Sequence, residues 1–432
     1  MGKKTITGTK NVYELAQERL KVIFNEFDNI YVSFSGGKDS GVLLNMCIDY
    51  IRRNNLKIRL GVFHMDYEIQ YKMTIDYVDR ILEANKDILD VYRVCVPFRV
   101  STCTSMYQSF WRPWEDNKKD IWVRSMPKKA MKKEDFPFYN TTMWDYEFQM
   151  RFAQWLHQKK DAVRTCCLIG IRTQESFNRW RCIYMSRKFQ MYHKYRWTSK
   201  VGNDIYNAYP IFDWKTTDVW TANGKFQWDY NVLYDLYYRA GVNLERQRVA
   251  SPFINEAQES LALYRVLDTW GKMIGRVNGV NFTGMYGGTH AMGWQMVKLP
   301  EGYTWREFMY FLLSTLPERA RKGYLRKLSV SVHFWRTKGG CLSDSTIQKL
   351  IDAKVPIIVM DNSNYKTYKK PVRMEYQDDI DIPEFREIPT YKRMCICILK
   401  NDHACKYMGF SPTKEEMSKR SQVMEQYRII VS

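Results

Sequence analysis

The sequence predicts a doubly wound, mainly parallel α/β sheet over its first half, followed by a mostly helical C-terminal region. Two observations carry that expectation. Between Asn11 and Gly170, short continuous apolar runs alternate with stretches of helical spacing. The first such run also leads directly into a glycine-rich turn, Ser35-Gly36-Gly37-Lys38-Asp39-Ser40, and then into a helix. Continuous apolar strands belong to a sheet covered on both faces, and short connections suit βαβ crossovers.

In chain order, Asn11 to Glu26 offers Val12, Leu15, Ala16, Leu20, Ile23 and Phe24 to one helical face. Asn29 to Phe34 reads as a buried strand, and Asp39 to Asn54 as an amphipathic helix. A second strand covers Ile58 to His64 and ends at Met65-Asp66. A helix follows around Tyr71 to Ala84, then a third strand at Asp90 to Val96, closed by Pro97. From about 102 to 139 the pattern breaks into an insertion with Trp111, Trp114 and Trp122 among Lys118, Lys119, Arg124, Lys128, Lys129, Lys132 and Lys133. Helical spacing returns at Trp144 to Gln158, a fourth strand at Ala162 to Ile169 runs into Gly170, and Tyr206 to Asp213 is a fifth strand or extended segment. A first domain over 1–235 and a second region over 236–432 result. The second is helical to about Lys327 and mixed thereafter, with strands expected at Val355 to Met360 and Met394 to Leu399.

Composition bounds the function. Hydrophobic residues make up 45% and aromatics 15%, enough for a real core. No apolar run approaches the roughly 18 residues of a membrane span. The opening Met1-Gly2-Lys3-Lys4-Thr5 lacks the apolar centre of a signal peptide, and Ile6 stands where a myristoylation signal has Ser or Thr. A soluble cytoplasmic protein is expected. The ten cysteines include no Cys-x-x-Cys, so no zinc ribbon, redox pair or iron–sulfur cluster is expected. Cys395, Cys397, His403 and Cys405 lack the spacing of the usual zinc modules, and the cysteines read as small core residues. The net charge of +20 attracts polyanions, which makes nucleic acid (tRNA or DNA) a candidate partner. Within the insertion Trp111, Trp114, Lys118, Lys119, Lys128 and Lys129 are its candidate contacts, stacking and charge together suiting a nucleic-acid strand. The alternative is that these charges are solvated surface capping the pocket.

The strongest chemical signal is the turn itself. Gly36 and Gly37 let backbone approach a phosphate closely, and the helix that follows presents unpaired N–H groups and a positive dipole end. Ser35 and Ser40 add hydroxyls, and Lys38 adds a compact charge. The spacing differs from a Walker A loop, which needs four residues between its first glycine and Gly-Lys. Asp39 either binds magnesium or favours the helix start.

Ser-Gly-Gly-x-Asp-Ser resembles the signature of the PP-loop ATP pyrophosphatases and of the phosphoadenosine phosphosulfate (PAPS) reductases. Further segments resemble that family in order: Val62 to Glu68 at the second strand's end, Leu168 to Ser176 with Arg179, and Tyr209-Pro210-Ile211-Phe212-Asp213-Trp214 with Asp218-Val219-Trp220. The resemblance implies ATP or PAPS with magnesium, held by Ser35, Gly36, Gly37, Lys38, Asp39, Ser40, His64, Met65, Asp66, Gly170, Arg172, Glu175 and Arg179. Lys38, Asp39 and Arg172 would be catalytic. Arg172 and Arg179 either fork onto phosphate or pair with Glu175 and other carboxylates. Asp66 and Glu68 either hold a ribose or magnesium, or cap the next helix. Trp214 and Trp220 read as core, and His64 as a strand-end residue.

The departures shape the functional expectation. PAPS reductases use a cysteine in a C-terminal Glu-Cys-Gly-Leu-His motif, and this chain has none. Cys166-Cys167 precedes the glycine–arginine motif and lies on a buried strand. An ATP pyrophosphatase that adenylates a substrate is therefore expected. A sulfonucleotide enzyme and a nucleotide-gated regulator are the alternatives. Arg276 to Val280, Ile398 to Asp402 and Cys405 to Phe410 also resemble Ibr-type co-regulators of immunoglobulin-binding protein expression, a resemblance that implies a ParB-like protein partner.

Overall fold

A computed structural model describes residues 10–184, 190–245, 247–249, 253–254, 270–286, 297–360, 369–384 and 387–410. The chain forms two compact units, one of residues 1–100, 112–252 and 259–276, the other of 101–111, 253–258 and 277–432.

The first unit begins with α1 (Val12–Glu26), fixed by a capping box in which the Asn11 side chain accepts from the Tyr13 and Glu14 N–H groups and Glu14 returns to the Asn11 N–H. Then come β1 (Asn29–Ser33), α2 (Lys38–Arg53), β2 (Leu60–Met65), α3 (Lys72–Ala84), β3 (Leu89–Val94), α4 (Asp145–Lys159), β4 (Thr165–Ile169), α5 (Phe177–Tyr184), β5 (Thr198–Gly202), β6 (Ile205–Ala208), α6 (Thr216–Phe226), α7 (Leu233–Arg239) and α8 (Trp270–Arg276). The sheet order is β3-β2-β1-β4-β6-β5. All pairs are parallel except the closing β5–β6 hairpin. Val32 lies opposite both Val62 and Leu168, so the centre of the sheet is apolar throughout.

The order reverses at β1, which places a crevice at its carboxyl end, where open α/β sheets bind ligands. Val32, Phe34, Leu43, Met46, Leu168, Ile211 and Trp214 belong to one core cluster. Trp214 is core, as its sequence predicts, and its Nε1 donates to the Val12 carbonyl at 3.1 Å. The expected strand over Tyr206 to Asp213 stops at Ala208, because the chain then turns to meet α1. Arg19 donates there to the Pro210 carbonyl (2.6 Å) and to both Asp213 oxygens (2.8 and 2.6 Å).

The second unit holds α9 (Val280–Tyr286), α10 (Trp305–Ser314), α11 (Glu318–Thr337), α12 (Asp344–Asp352), α13 (Tyr391–Leu399) and a small antiparallel sheet. In that sheet β9 (Lys370–Met374) lies between β7 (Gly340–Leu342) and β8 (Ile357–Val359). The strand expected at Met394 to Leu399 is helix. Thr390 Oγ1 caps it by accepting the Arg393 N–H at 3.2 Å, and Cys395 and Cys397 pack among Leu312, Met309 and Tyr324. Within the expected helical stretch, 255–269 and 287–296 lie outside the described residues. No helix among the described residues is long and apolar enough to cross a membrane.

Candidate functional site

The turn after β1 is built around one obligatory glycine. Gly36 has φ +76°, and a Cβ there would lie 2.9 Å from Thr74 Cγ2 and 3.0 Å from Val78 Cγ2. The two serines brace the turn from inside. Ser40 Oγ accepts the Ser35 N–H (3.2 Å) and lies 3.0 Å from Ser35 Oγ, which accepts the Gly37 N–H (3.3 Å). Gly37 caps α2 without a side chain, at the positive end of a 16-residue helix. Gly170, just after β4, permits the second close approach. A Cβ there would meet the Asp39 carbonyl carbon and oxygen and the Ser40 nitrogen, each at 2.9 Å. That approach brings Arg172 to the start of α2.

Charge at this point is mostly positive and mostly buried. Arg172 Nε donates to Asp39 Oδ1 at 2.5 Å, and Lys38 Nζ lies 3.5 Å from Asp39 Oδ2. Arg172 and Lys38 are only 2% and 4% exposed. Burial pulls the Lys38 ammonium below its usual pKa. Asp39 opposes that shift, and the charges of Arg172 and Arg248 add to it. Glu175 pairs with Arg179 and with Arg248 (3.4 Å) and accepts the Arg172 N–H (3.3 Å). Four cations thus face two carboxylates. Both Asp39 oxygens face cations, Oδ1 toward Arg172 and Oδ2 toward Lys38. Among the described residues no group of three His, Cys, Asp or Glu could hold a metal.

The end of β2 departs from expectation. His64 is fully buried, and its Nδ1 donates to the Phe34 carbonyl at 2.8 Å. Burial, aided by Arg93 and Arg124 and opposed by Asp66, drives its pKa down to about 4, so the ring is neutral with Nε2 free of its proton. No partner to Nε2 occurs among the described residues. Met65 is buried as well. Asp66, expected to meet a ribose or metal, is sealed instead. It pairs with Arg93 (3.1 Å) and Arg124, accepts the Glu68 N–H (3.0 Å), and its carbonyl accepts Trp114 Nε1 (2.7 Å). Burial alone would raise its carboxyl, but Arg124, His64 and Arg93 outweigh it and hold the pKa below the usual range.

Glu68 is committed to partners within the chain. Its carboxylate binds Arg276 Nε and Nη2 (3.0 and 2.8 Å) and accepts the N–H groups of Trp114 (2.7 Å) and Val123 (3.0 Å). The insertion is therefore anchored to the strand end by buried carboxylates. Trp114 is 1% exposed and Trp111 3%, so neither is a surface for stacking bases, which corrects that expectation. Lys118 pairs with Glu115 (2.9 Å), Lys128 and Lys129 are exposed, and Lys119 lines a separate cavity beside the insertion.

Sequence reasoning missed the residues that cover the loop. The Lys38 N–H donates to Tyr234 Oη at 2.9 Å, Lys38 Nζ donates to the Gln247 carbonyl at 3.0 Å, and Asn231 Nδ2 donates to the Gly36 carbonyl at 3.0 Å. Asn231 Oδ1 also accepts the Leu233 N–H at 3.0 Å. An Asn two residues ahead of an apolar helix was the one available signal, and it marks a cap without revealing its bond to the loop.

An uncharacterized protein of Escherichia coli K12, YbdN, is 34% identical over 417 residues, covering 95% of this chain and 93% of that protein. Residues 29–241 match the phosphoadenosine phosphosulfate reductase domain. The chain belongs to this PAPS reductase-like family. Residues 241–419 of the PAPS reductase-like chain match a domain of unknown function, DUF3440. A Methanocaldococcus jannaschii protein, MJ0973, is 26% identical over 236 residues, 54% of this chain and 43% of that protein. Among solved structures, PAPS reductase from Candida auris in a phosphate complex is 16% identical with a TM-score of 0.28, covering 54% of this chain and 93% of that one. The U34-tRNA thiolase NcsA of Methanococcus maripaludis, solved with its [4Fe-4S] cluster, is 11% identical with a TM-score of 0.29, covering 64% and 79%.

Proposed function

We propose that this PAPS reductase-like chain binds an adenine nucleotide at Ser35 to Ser40 and acts as an ATP pyrophosphatase that adenylates a second substrate. The observation that carries the reading is the set of four cations, Lys38, Arg172, Arg179 and Arg248, against two carboxylates at the start of α2. A substrate oxygen attacks the α-phosphorus. The bond from that phosphorus to the bridging oxygen breaks, and pyrophosphate leaves with the electron pair. Lys38, Arg172 and the N–H groups of the loop offset the charge that grows on the leaving group. Nucleic acid is the acceptor class that the +20 net charge favours.

Sulfonucleotide reduction is the weaker alternative because it needs a thiolate. Cys47, Cys95, Cys166 and Cys167 are buried, and burial pushes their thiols up, that of Cys167 to about 12, which leaves Cys182 on α5 as the exposed thiol of this unit. A nucleotide-gated co-regulator acting with a ParB-like partner is the second reading. The Tyr234 hydroxyl on the Lys38 N–H favours it, since nucleotide would have to displace a hydrogen bond made by the chain itself.

The test is calorimetric titration of ATP and of PAPS, each with magnesium, against wild type and Lys38→Ala, paired with an assay for pyrophosphate release. The expected result is ATP binding that Lys38→Ala abolishes, with pyrophosphate released when an acceptor is supplied. ATP binding without release would favour the regulator. A preference for PAPS would restore sulfonucleotide chemistry, and binding of neither would remove the loop as a working site.

A further inference from the structure

Between the insertion and α8 lies an open cavity of about 560 Å³. Its walls include four cations (Lys119, Arg124, Lys132 and Lys272), two carboxylates (Asp116 and Asp120) and the indole of Trp122. Asp116 is already neutralised by Lys133. The Arg124 guanidinium pairs with Asp66, which Arg93 shares while also pairing with Asp79, and the buried Arg124 Nε has no acceptor among the described residues. The lining therefore carries an excess of positive charge that its own carboxylates do not absorb.

Trp122 is held where it stands. Its Nε1 donates to the Glu115 carbonyl at 2.9 Å, and its ring meets Trp114 edge-on with centroids 5.1 Å apart at 88°. Unlike Trp114 it is only partly buried. α8, which supplies Lys272, is fixed too, because it ends in Arg276, whose guanidinium is clamped by Glu68. A rigid aromatic surface ringed by cations matches one ligand chemistry: a planar base joined to a phosphate.

We infer that this cavity is a second binding site, separate from the loop after β1, for a nucleotide unit whose base lies against Trp122 and whose phosphate meets Lys119, Lys132, Lys272 and Arg124. The unit comes either free or as part of a single strand, and the two sources share this chemistry. The site does not rest on the pyrophosphatase reading, since none of its residues belongs to the phosphate loop.

The experiment uses the full chain carrying Lys38→Ala, so that the loop does not contribute. Binding of a fluorescein-labelled single-stranded oligonucleotide and of AMP is followed by anisotropy and competition across a salt series. Lys119→Glu/Lys132→Glu and Trp122→Leu are compared with Lys128→Glu/Lys129→Glu, a pair with the same charge change outside the cavity. Lys119, Lys132, Lys128 and Lys129 are all exposed, so both charge variants leave the core intact. Each cavity variant is expected to weaken binding by roughly tenfold or more, and the charge variant to lower the salt dependence by about one unit for each phosphate it no longer engages. The control pair is expected to change binding far less. Competition by AMP would identify the free nucleotide as the source, and binding of the strand without such competition would identify the strand. Equal losses in the two charge variants would overturn the site in favour of general basicity, and so would failure of both probes to bind.

Discussion

Replacing Tyr234 by Phe tests whether the chain competes with nucleotide for its own phosphate loop. The Tyr234 hydroxyl accepts the Lys38 N–H at 2.9 Å, in a spot where a phosphate oxygen would accept the same proton. Tyr234 is 3% exposed, so deleting the oxygen leaves a buried N–H unpaired in the free protein at a cost of about 1–3 kcal/mol. In the nucleotide complex that N–H binds phosphate in both variants, so the complex loses nothing. The free energy lost by the unliganded protein reappears as affinity, and a loss of about 1.4 kcal/mol corresponds to a tenfold tighter Kd. Two measurements check this on the same preparations: the urea midpoint without ligand and the calorimetric Kd for ATP. The expected pair is a lower midpoint and a tighter Kd, of matching size. A lower midpoint with an unchanged Kd would refute the reasoning, because the hydroxyl would then stand where no phosphate goes.

Two further outcomes follow from buried groups. His64 has a folded pKa of about 4 against an unfolded value near 6.5, so the fold favours the neutral ring. Its contribution is complete above about pH 6.5 and is lost as pH falls toward 4, roughly 3 kcal/mol in all. His64→Gln should flatten the decline in urea stability between pH 6.5 and 5, and an unchanged slope would show that other groups set it. Arg276→Met strands the Glu68 carboxylate in the interior and should cost about 3–5 kcal/mol in urea unfolding, while adding Glu68→Gln should recover part of the loss.

Much of the first unit was legible because its signals are local. A continuous apolar strand, a glycine turn and an amphipathic helix each announce themselves within a few residues, and Ser35 to Ser40 fell where the sequence placed it. The Met394 to Leu399 segment failed for the same reason. Six apolar residues in a row fit strand or helix equally, and the capping Thr390 was the neglected cue. Asp66 and Glu68 failed differently. A carboxylate at a strand end is a fair ligand candidate until Arg93, Arg124 and Arg276 arrive from distant parts of the chain, and no local pattern announces them. Trp111 and Trp114 were misjudged because lysines around them suggested surface, although the indoles themselves are interior.

The Glu68–Arg276 pair also bears on how the protein can be cut. The match to the PAPS reductase domain ends at residue 241, but the partner of Glu68 lies 35 residues beyond it, by subtraction of 241 from 276. A fragment ending at the family boundary would keep a carboxylate inside the protein with its cation removed. It would also lose the Gln247 carbonyl that steadies Lys38. The PAPS reductase-like domain is thus not a detachable module, and a nascent chain cannot neutralise Glu68 before Arg276 has been synthesised. Any gene rearrangement that swaps the region after 241 must bring an equivalent cation, so the two halves are expected to be inherited together.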